Sequence, residues 1–174
     1  MELYVIRHGE TYANLKHLVN GRKESKLTFK GKIEAIKVKF KLKKIKFNVV
    51  ISSLLKRAVA TAKIIRKPII IDERLIERSY RDFEGMKKSE FNYKGYWNFE
   101  ENLSDHNVES ISDLMDRTKK IINDLKDKYG NKRVLLVTHS GLARAIHYYL
   151  SGIPLDNDLT ALTIPNCYIR KYRV

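Results

Sequence analysis

Leu3-Tyr4-Val5-Ile6-Arg7-His8-Gly9-Glu10-Thr11 is the stretch on which the fold turns. Its first four residues form a continuous β-type apolar run. A run that short and without alternation reads as a strand covered on both faces. Arginine, histidine and glycine follow it at once. The same pattern recurs along the chain in Val49-Val50-Ile51, Ile69-Ile70-Ile71 and Val134-Leu135-Leu136-Val137. Cys167 to Val174 instead alternates apolar with basic residues and reads as an edge strand.

Amphipathic helices lie between these runs. Thr28 is placed as an N-cap, with Phe29, Ile33, Ile36 and Phe40 on one face behind it. Leu55, Ala58, Val59, Ala62 and Ile65 make a second stripe, stopped by Pro68. The clearest helix carries Val108, Ile111, Met115, Thr118, Ile122, Leu125 and Tyr129, with Gly130 just past its end. A last one carries Leu142, Ala145, Ile146 and Tyr149. The alternation implies an α/β fold: a three-layer, open, mostly parallel sheet with helices on both faces. In such folds ligands sit beyond the carboxyl ends of the strands. Reactive side chains should therefore follow apolar runs. Arg7-His8-Gly9 follows the first, Ser52-Ser53 and then Arg57 the second, Glu77 comes shortly after the third, and His139-Ser140-Gly141 follows the fourth.

The length of 174 residues predicts a single domain over 1–174, long enough to bury a core without staples. A hydrophobic fraction of 43% places it among globular chains rather than disordered ones. The lone Cys167 excludes an intramolecular disulfide and a multi-cysteine metal site, and reads as a small buried residue. No apolar run is long enough to span a bilayer, and the opening segment has no signal-peptide pattern. A cytoplasmic protein with no membrane partner is expected. The net charge of +15 has two readings, an anionic partner or a lysine-rich composition of the whole proteome. Much of it lies in Lys37-Val38-Lys39-Phe40-Lys41-Leu42-Lys43-Lys44, which reads as the solvated face of a helix. The basic residues are dispersed and carry no recognised nucleic-acid motif, so nucleic acid is not the expected partner.

Two histidines, two arginines and one carboxylate on one rim suit a phosphate monoester dianion. Planar guanidinium forks bind two phosphate oxygens at once. A neutral imidazole is a competent nucleophile near neutral pH, and flanking arginines lower its pKa by disfavouring imidazolium. Gly9 permits close backbone approach. A metal is not expected, because each histidine lies beside or faces a cationic arginine that repels a divalent ion. His17, His106 and His147 have no such context and read as surface or helix residues.

These residues resemble the histidine phosphatase superfamily, the phosphoglycerate mutase-like group. Arg7-His8-Gly9-Glu10-Thr11 is similar to its signature, with Asn14 where the family often has asparagine. Gly21 and then Leu27-Thr28-x-x-Gly31 resemble its next stretch. Ser52-Ser53-Leu54-Leu55-Lys56-Arg57-Ala58, continuing to Thr61-Ala62, resembles the second block, Leu75-Ile76-Glu77-Arg78 the third and Thr138-His139-Ser140-Gly141 the last. The resemblance runs nearly end to end. It implies that His8 takes the phosphoryl group as phosphohistidine. Arg7, Arg57 and His139, assisted by Asn14, would hold the equatorial oxygens, and Glu77 would act as general acid and then base. Gly21, Arg78, Tyr80 and Ser140 join them as substrate-binding candidates. No metal or organic cofactor is implied. Glu73 and Glu84 are the nearby alternatives to Glu77.

The mutases of this group carry a longer insertion after the glutamate block and a closing C-terminal tail. Here the lid segment, about 78–107, is short, and it holds no arginine between Arg81 and Arg117. A mutase must keep water from its phosphohistidine, and a small lid favours hydrolysis. The expected activity is therefore a cofactor-independent phosphomonoester hydrolase acting on a small anionic phosphorylated metabolite. Glu77-Arg78-Ser79-Tyr80 resembles the mutase segment that helps hold substrate, which keeps a phosphoglycerate mutase as the alternative. A protein phosphohistidine phosphatase is disfavoured by Glu77, and a basic nucleic-acid binder with a dead site is disfavoured by the complete residue set. Lys87, Lys88 and Lys94, with Arg22 and Lys23, are expected to ring the mouth with positive charge. Phe91, Tyr93, Tyr96, Trp97 and Phe99 either line the pocket or pack the lid onto the body. The terminal edge strand offers a homodimerisation route.

Overall fold

Leu3 and Val5 point to one side of the sheet and Tyr4 and Ile6 to the other, and this alternation builds two cores. The computed structural model describes residues 1–174. The elements run β1 (Glu2–Arg7), α1 (Tyr12–Leu15), α2 (Phe29–Lys41), β2 (Val49–Ser52), α3 (Lys56–Ile65) and β3 (Ile70–Ile71). After the lid come α4 (Ile111–Tyr129), β4 (Arg133–Thr138), α5 (Ser140–Ser151) and β5 (Ile169–Arg173). The sheet order is β3-β2-β4-β1-β5, parallel except for β5, which pairs antiparallel with β1 at one edge. Helices α4 and α5 cover Leu3, Val5, Val134 and Leu136 on one face. Helices α2 and α3 cover Tyr4, Ile6, Leu135 and Val137 on the other. The three-layer α/β expectation holds.

Register fixes the rim. Arg7 lies opposite Thr138, and Ser52 opposite Val137, so β1, β2 and β4 end together. The residue after each end (His8, Ser53, His139) is fully or almost fully buried. The Thr28 cap matches the sequence, its Oγ1 accepting from Gly31 N at 2.9 Å; α4 starts only at Ile111, after Val108, because Ser110 Oγ caps it by accepting from Asp113 N at 3.0 Å.

Two further expectations are corrected and one is refined. β3 is only two residues long, and Ile70 and Ile71 are about half exposed, because β3 stands at the edge of the sheet with β2 as its single strand neighbour. In α5 Tyr149 packs half-buried against the core, and the more deeply buried tyrosine is Tyr148. In α2 the predicted core face is the outer face. Phe29 is 78% and Phe40 62% exposed, and Ile33 and Ile36 are exposed too. The inward stripe is Gly31, Ala35, Val38 and Leu42. The reason is backbone proximity. A Cβ on Gly9 would lie 2.4 Å from Gly31 O, and a Cβ on Gly31 would lie 2.1 Å from Glu10 O. Only the small-residue face can sit that close to the loop after β1.

Candidate active site

His8 is held from both ring nitrogens. Nδ1 lies 2.8 Å from the carbonyl of Gly9, so in the neutral tautomer it is Nδ1 that donates. Nε2 keeps its lone pair and accepts from Arg57 Nε at 3.2 Å. Burial, then the guanidiniums of Arg57 and Arg7, hold His8 well below the usual imidazole range, against a weaker opposing pull from the Gly9 carbonyl. The ring is therefore a neutral base with its nucleophilic nitrogen turned toward a cation. Gly9 N donates to Thr61 Oγ1 at 3.1 Å, and Thr61 Oγ1 donates to Arg57 O at 2.8 Å. One hydroxyl thus ties the loop after β1 to the first turn of α3.

Arg57 is 2% exposed, and each of its three nitrogens makes one hydrogen bond, leaving one N–H on each Nη. Besides Nε, its Nη1 donates to Lys23 O at 2.7 Å and its Nη2 to Gly21 O at 2.6 Å. Gly21 has φ +48°, and a Cβ there would meet Glu84 Oε1 at 2.1 Å. The Gly21 turn is in turn clamped by Glu84, whose carboxylate accepts from Arg22 N (2.9 Å), Lys23 N (3.2 Å) and Tyr80 N (3.1 Å). Arg7 donates through Nη1 to Ile164 O at 2.6 Å, while its buried Nε has no partner.

His139 packs edge-on to His8, with ring centroids 5.1 Å apart. Its Nε2 is 2.8 Å from Ser53 Oγ, which also accepts from Leu55 N. With the Ser53 hydroxyl donating to Nε2, the proton of the neutral ring sits on Nδ1, which is buried and unpartnered. Burial and then Arg57, with smaller contributions from His8 and Arg7, hold His139 well below the imidazole range as well.

Glu77 supplies the cap that α5 lacks. His139 occupies the N-cap position without a side-chain cap bond. Glu77 Oε2 accepts from Gly141 N at 3.0 Å, and Oε1 accepts from Leu142 N at 3.2 Å and Arg78 N at 2.8 Å. A carboxylate at a helix N-terminus is favoured by the aligned N–H groups. Oε2, with a single donor, retains the lone pair that can carry a proton.

A cleft of about 100 Å³ opens among these groups. It is lined by Arg7, His8, Asn14, Arg57, Glu77 and Ser140, and also by Asn20, Gly21, Tyr80, Lys88, Tyr93 and Trp97. Asn14 Oδ1 accepts from Thr11 N and from Asn166 Nδ2, which leaves Asn14 Nδ2 for a ligand. Tyr80 accepts at its hydroxyl from Trp97 Nε1 at 2.6 Å. Of the sequence-predicted residues, His8, Arg7, Arg57, Glu77, Asn14, Gly21, Tyr80 and Ser140 line the cleft, and His139 lies behind His8.

Arg78 does not line it. Its guanidinium lies under the lid, stacked 4.7 Å from the Trp97 ring, and donates to Glu109 O at 2.8 Å and to Tyr96 O. The expected ring of lysines also contracts to Lys88. Lys94 pairs with Asp158 at 3.1 Å, Arg22 with Glu109 at 3.2 Å, and Lys23 Nζ donates to Glu84 O at 2.6 Å. The aromatics divide: Tyr93 and Trp97 reach the cleft, while Phe91 stacks on Phe83 at 4.2 Å within the lid. Glu73 is exposed and Glu84 is committed to the Gly21 turn, so Glu77 alone of the three carboxylates faces the cleft. Thr61, Glu84 and Ser53 are supports that the sequence does not reveal, because their partners Gly9, the Gly21 turn and His139 lie on segments distant in sequence.

A strand-end histidine flanked by a buried and a partly buried arginine and a carboxylate defines an α/β phosphoryl-transfer site. The chain belongs to the histidine phosphatase superfamily (branch 1), whose family model matches residues 3–174. It is 32% identical over 159 residues to phosphoglycerate mutase-like protein 4 of Arabidopsis thaliana, covering 84% of this chain and 69% of that one. It is 31% identical over 152 residues to the uncharacterized phosphatase PhoE of Bacillus subtilis, covering 85% and 76%. Among solved structures, a phosphoserine phosphatase mutant from Entamoeba histolytica in complex with phosphoserine superposes with a TM-score of 0.88 at 26% identity, covering 98% and 89%. The relatives carry the names of phosphatases and of mutases alike.

Proposed function

We propose that this protein hydrolyses the monophosphate ester of a small anionic metabolite through a phosphohistidine on His8. The observation that carries the reading is the pairing of an unprotonated His8 Nε2 with Arg57 Nε at 3.2 Å. That guanidinium covers the lone pair until a phosphoryl oxygen takes its N–H. Nε2 then attacks phosphorus, and the bond from phosphorus to the leaving oxygen breaks. Glu77 Oε2 passes its proton to that oxygen. Arg7, Arg57, Asn14 Nδ2 and His139 Nδ1–H spread the charge of the equatorial oxygens. Water then attacks phosphorus as the P–N bond breaks, and Glu77 takes up the proton. No metal takes part in this scheme.

Hydrolysis is favoured over mutase chemistry because the lid segment, about 78–107, is short, holds no arginine between Arg81 and Arg117, and leaves water a path to a phosphohistidine. The solved relatives include a phosphoserine phosphatase and a mycobacterial glucosyl-3-phosphoglycerate phosphatase, both named for esters that carry a further polar or acidic group. Cytoplasmic residence belongs to the same reading and agrees with the unpaired thiol of Cys167. The test is a panel of monoesters assayed with wild-type protein and His8→Ala, with and without chelator, beside a phosphoglycerate mutase assay. Acid-labile phosphate trapped on wild type and absent from His8→Ala is the expected result. Activity surviving in His8→Ala, or loss with chelator, would overturn the mechanism. Isomerisation outrunning hydrolysis would favour the mutase.

A further inference from the structure

Helix α2 carries two apolar stripes with identical spacing. Gly31, Ala35, Val38 and Leu42 go into the core, and Phe29, Ile33, Ile36 and Phe40 run down the opposite side. Both sets follow the i, i+4, i+7, i+11 pattern, offset by two residues and therefore by about 200° around the helix. The outer stripe spans about 16 Å along the axis at the α-helical rise. Isolated exposed apolar residues need no explanation, but a contiguous row with a phenylalanine at each end does.

The flanks of this stripe are basic. Lys37 and Lys41 lie along one side and Lys32 and Lys39 along the other, all exposed and in no ion pair, and exposed Lys43 and Lys44 continue the charge past the helix end. Lys30 is already paired with Glu10 at 2.9 Å. The single acid of the helix, Glu34, is turned to the nucleophile loop, where Oε2 accepts from Glu10 N at 3.0 Å. No carboxylate of α2 thus accompanies the stripe.

We propose that the outer face of α2 is a docking surface for a bilayer containing anionic phospholipid, with Phe29, Ile33, Ile36 and Phe40 entering the acyl boundary. The lysines on either flank extend their stems along the apolar row and hold their ammonium groups at the phosphate level. A second copy is a poor occupant. Two such stripes facing each other set lysine against lysine with no acid to match. One helix face also falls far short of the roughly 1,200 Å² that a stable interface buries in total. A protein helix needs a groove for its own apolar face, and this stripe is the convex side of a single helix. Contact of this kind is peripheral and involves no spanning segment, and it revises the expectation of no membrane partner.

The test is co-sedimentation of the full chain with vesicles of phosphatidylcholine alone, and of phosphatidylcholine with an equal amount of phosphatidylglycerol, at physiological ionic strength. The anionic vesicles should bind about tenfold or more tightly than the neutral ones, and added salt should weaken them. The double variant Phe29→Ser/Phe40→Ser should lose about tenfold in binding while keeping wild-type activity on p-nitrophenyl phosphate, which shows that it is folded. Lys37→Glu/Lys39→Glu should do the same. Equal binding to both vesicle types overturns the proposal. So does undiminished binding by the phenylalanine double variant, which would reduce the effect to the overall charge of +15. A dimer in sedimentation velocity that Phe29→Ser/Phe40→Ser dissolves, or an acidic peptide held more tightly than the vesicles, overturns it in favour of a protein partner.

Discussion

Gly31→Ala sets two well-known effects against each other, and the structure decides between them. In a helix interior alanine is favoured over glycine by about 0.5–1 kcal/mol, so propensity alone predicts a stabler protein. The added methyl, however, would stand 2.1 Å from Glu10 O and 2.7 Å from Glu10 N. Both are backbone atoms, so no rotamer change relieves the clash, and reaching ordinary contact requires α2 and the nucleophile loop to part by about 1 Å. Overpacking of this kind costs about 1–3 kcal/mol. The net loss of up to about 2.5 kcal/mol should lower Tm by up to roughly 10 °C in a chain of this size. The displaced loop carries His8, whose ring is oriented by Gly9 O, and misplacement of a reacting group by about 1 Å can cost about a hundredfold in rate. Thermal denaturation and steady-state turnover of p-nitrophenyl phosphate on the same preparation read both quantities. A Tm equal to or above wild type, with unchanged kcat, would refute the argument that the glycine pair sets the seat of α2.

Three further outcomes are expected. Thr61→Val keeps the shape but leaves Gly9 N without its acceptor, so stability should fall by about 1–3 kcal/mol in urea titration, with kcat reduced as His8 loosens. Glu84→Ala frees the Gly21 turn that anchors Arg57. It should lower kcat about tenfold or more on the scale of a lost positioning contact, and an unchanged kcat would show that Arg57 holds itself. His8 and His139 are kept below their unfolded value of 6.5, so the unfolded chain binds protons first as pH falls. The stability they permit is complete above about pH 6.5 and drains below it by up to about 1.4 kcal/mol per pH unit for each histidine, until the depressed folded values are reached. Urea midpoints between pH 7.5 and 5 should show this slope, and His8→Asn should roughly halve it.

The strands β1, β2 and β4 were legible because burial on both faces leaves an unbroken apolar run, and their common ends put His8, Arg57 and His139 on one rim. The face of α2 was not legible. Two stripes of equal spacing compete there, and hydrophobicity favours the larger one, whereas the fold selects the smaller because a loop passes too close for bulk. Ile70 and Ile71 misled for a related reason, since composition does not reveal that a strand stands at the edge of the sheet. Arg78 and the lysine ring were misplaced because their partners, Glu109, Tyr96, Asp158 and Glu84, lie on segments distant in sequence. Side-chain destinations set by such contacts leave no local periodic mark.

The capping of α5 by Glu77 binds two properties that are usually separable. The carboxylate that faces the cleft is also the group that satisfies the first N–H donors of a helix packed in the core. Replacing this side chain therefore also leaves the N–H groups of Gly141 and Leu142 without an acceptor, so a variant lacking it should lose anchorage of the segment that begins at His139 together with any proton transfer it performs.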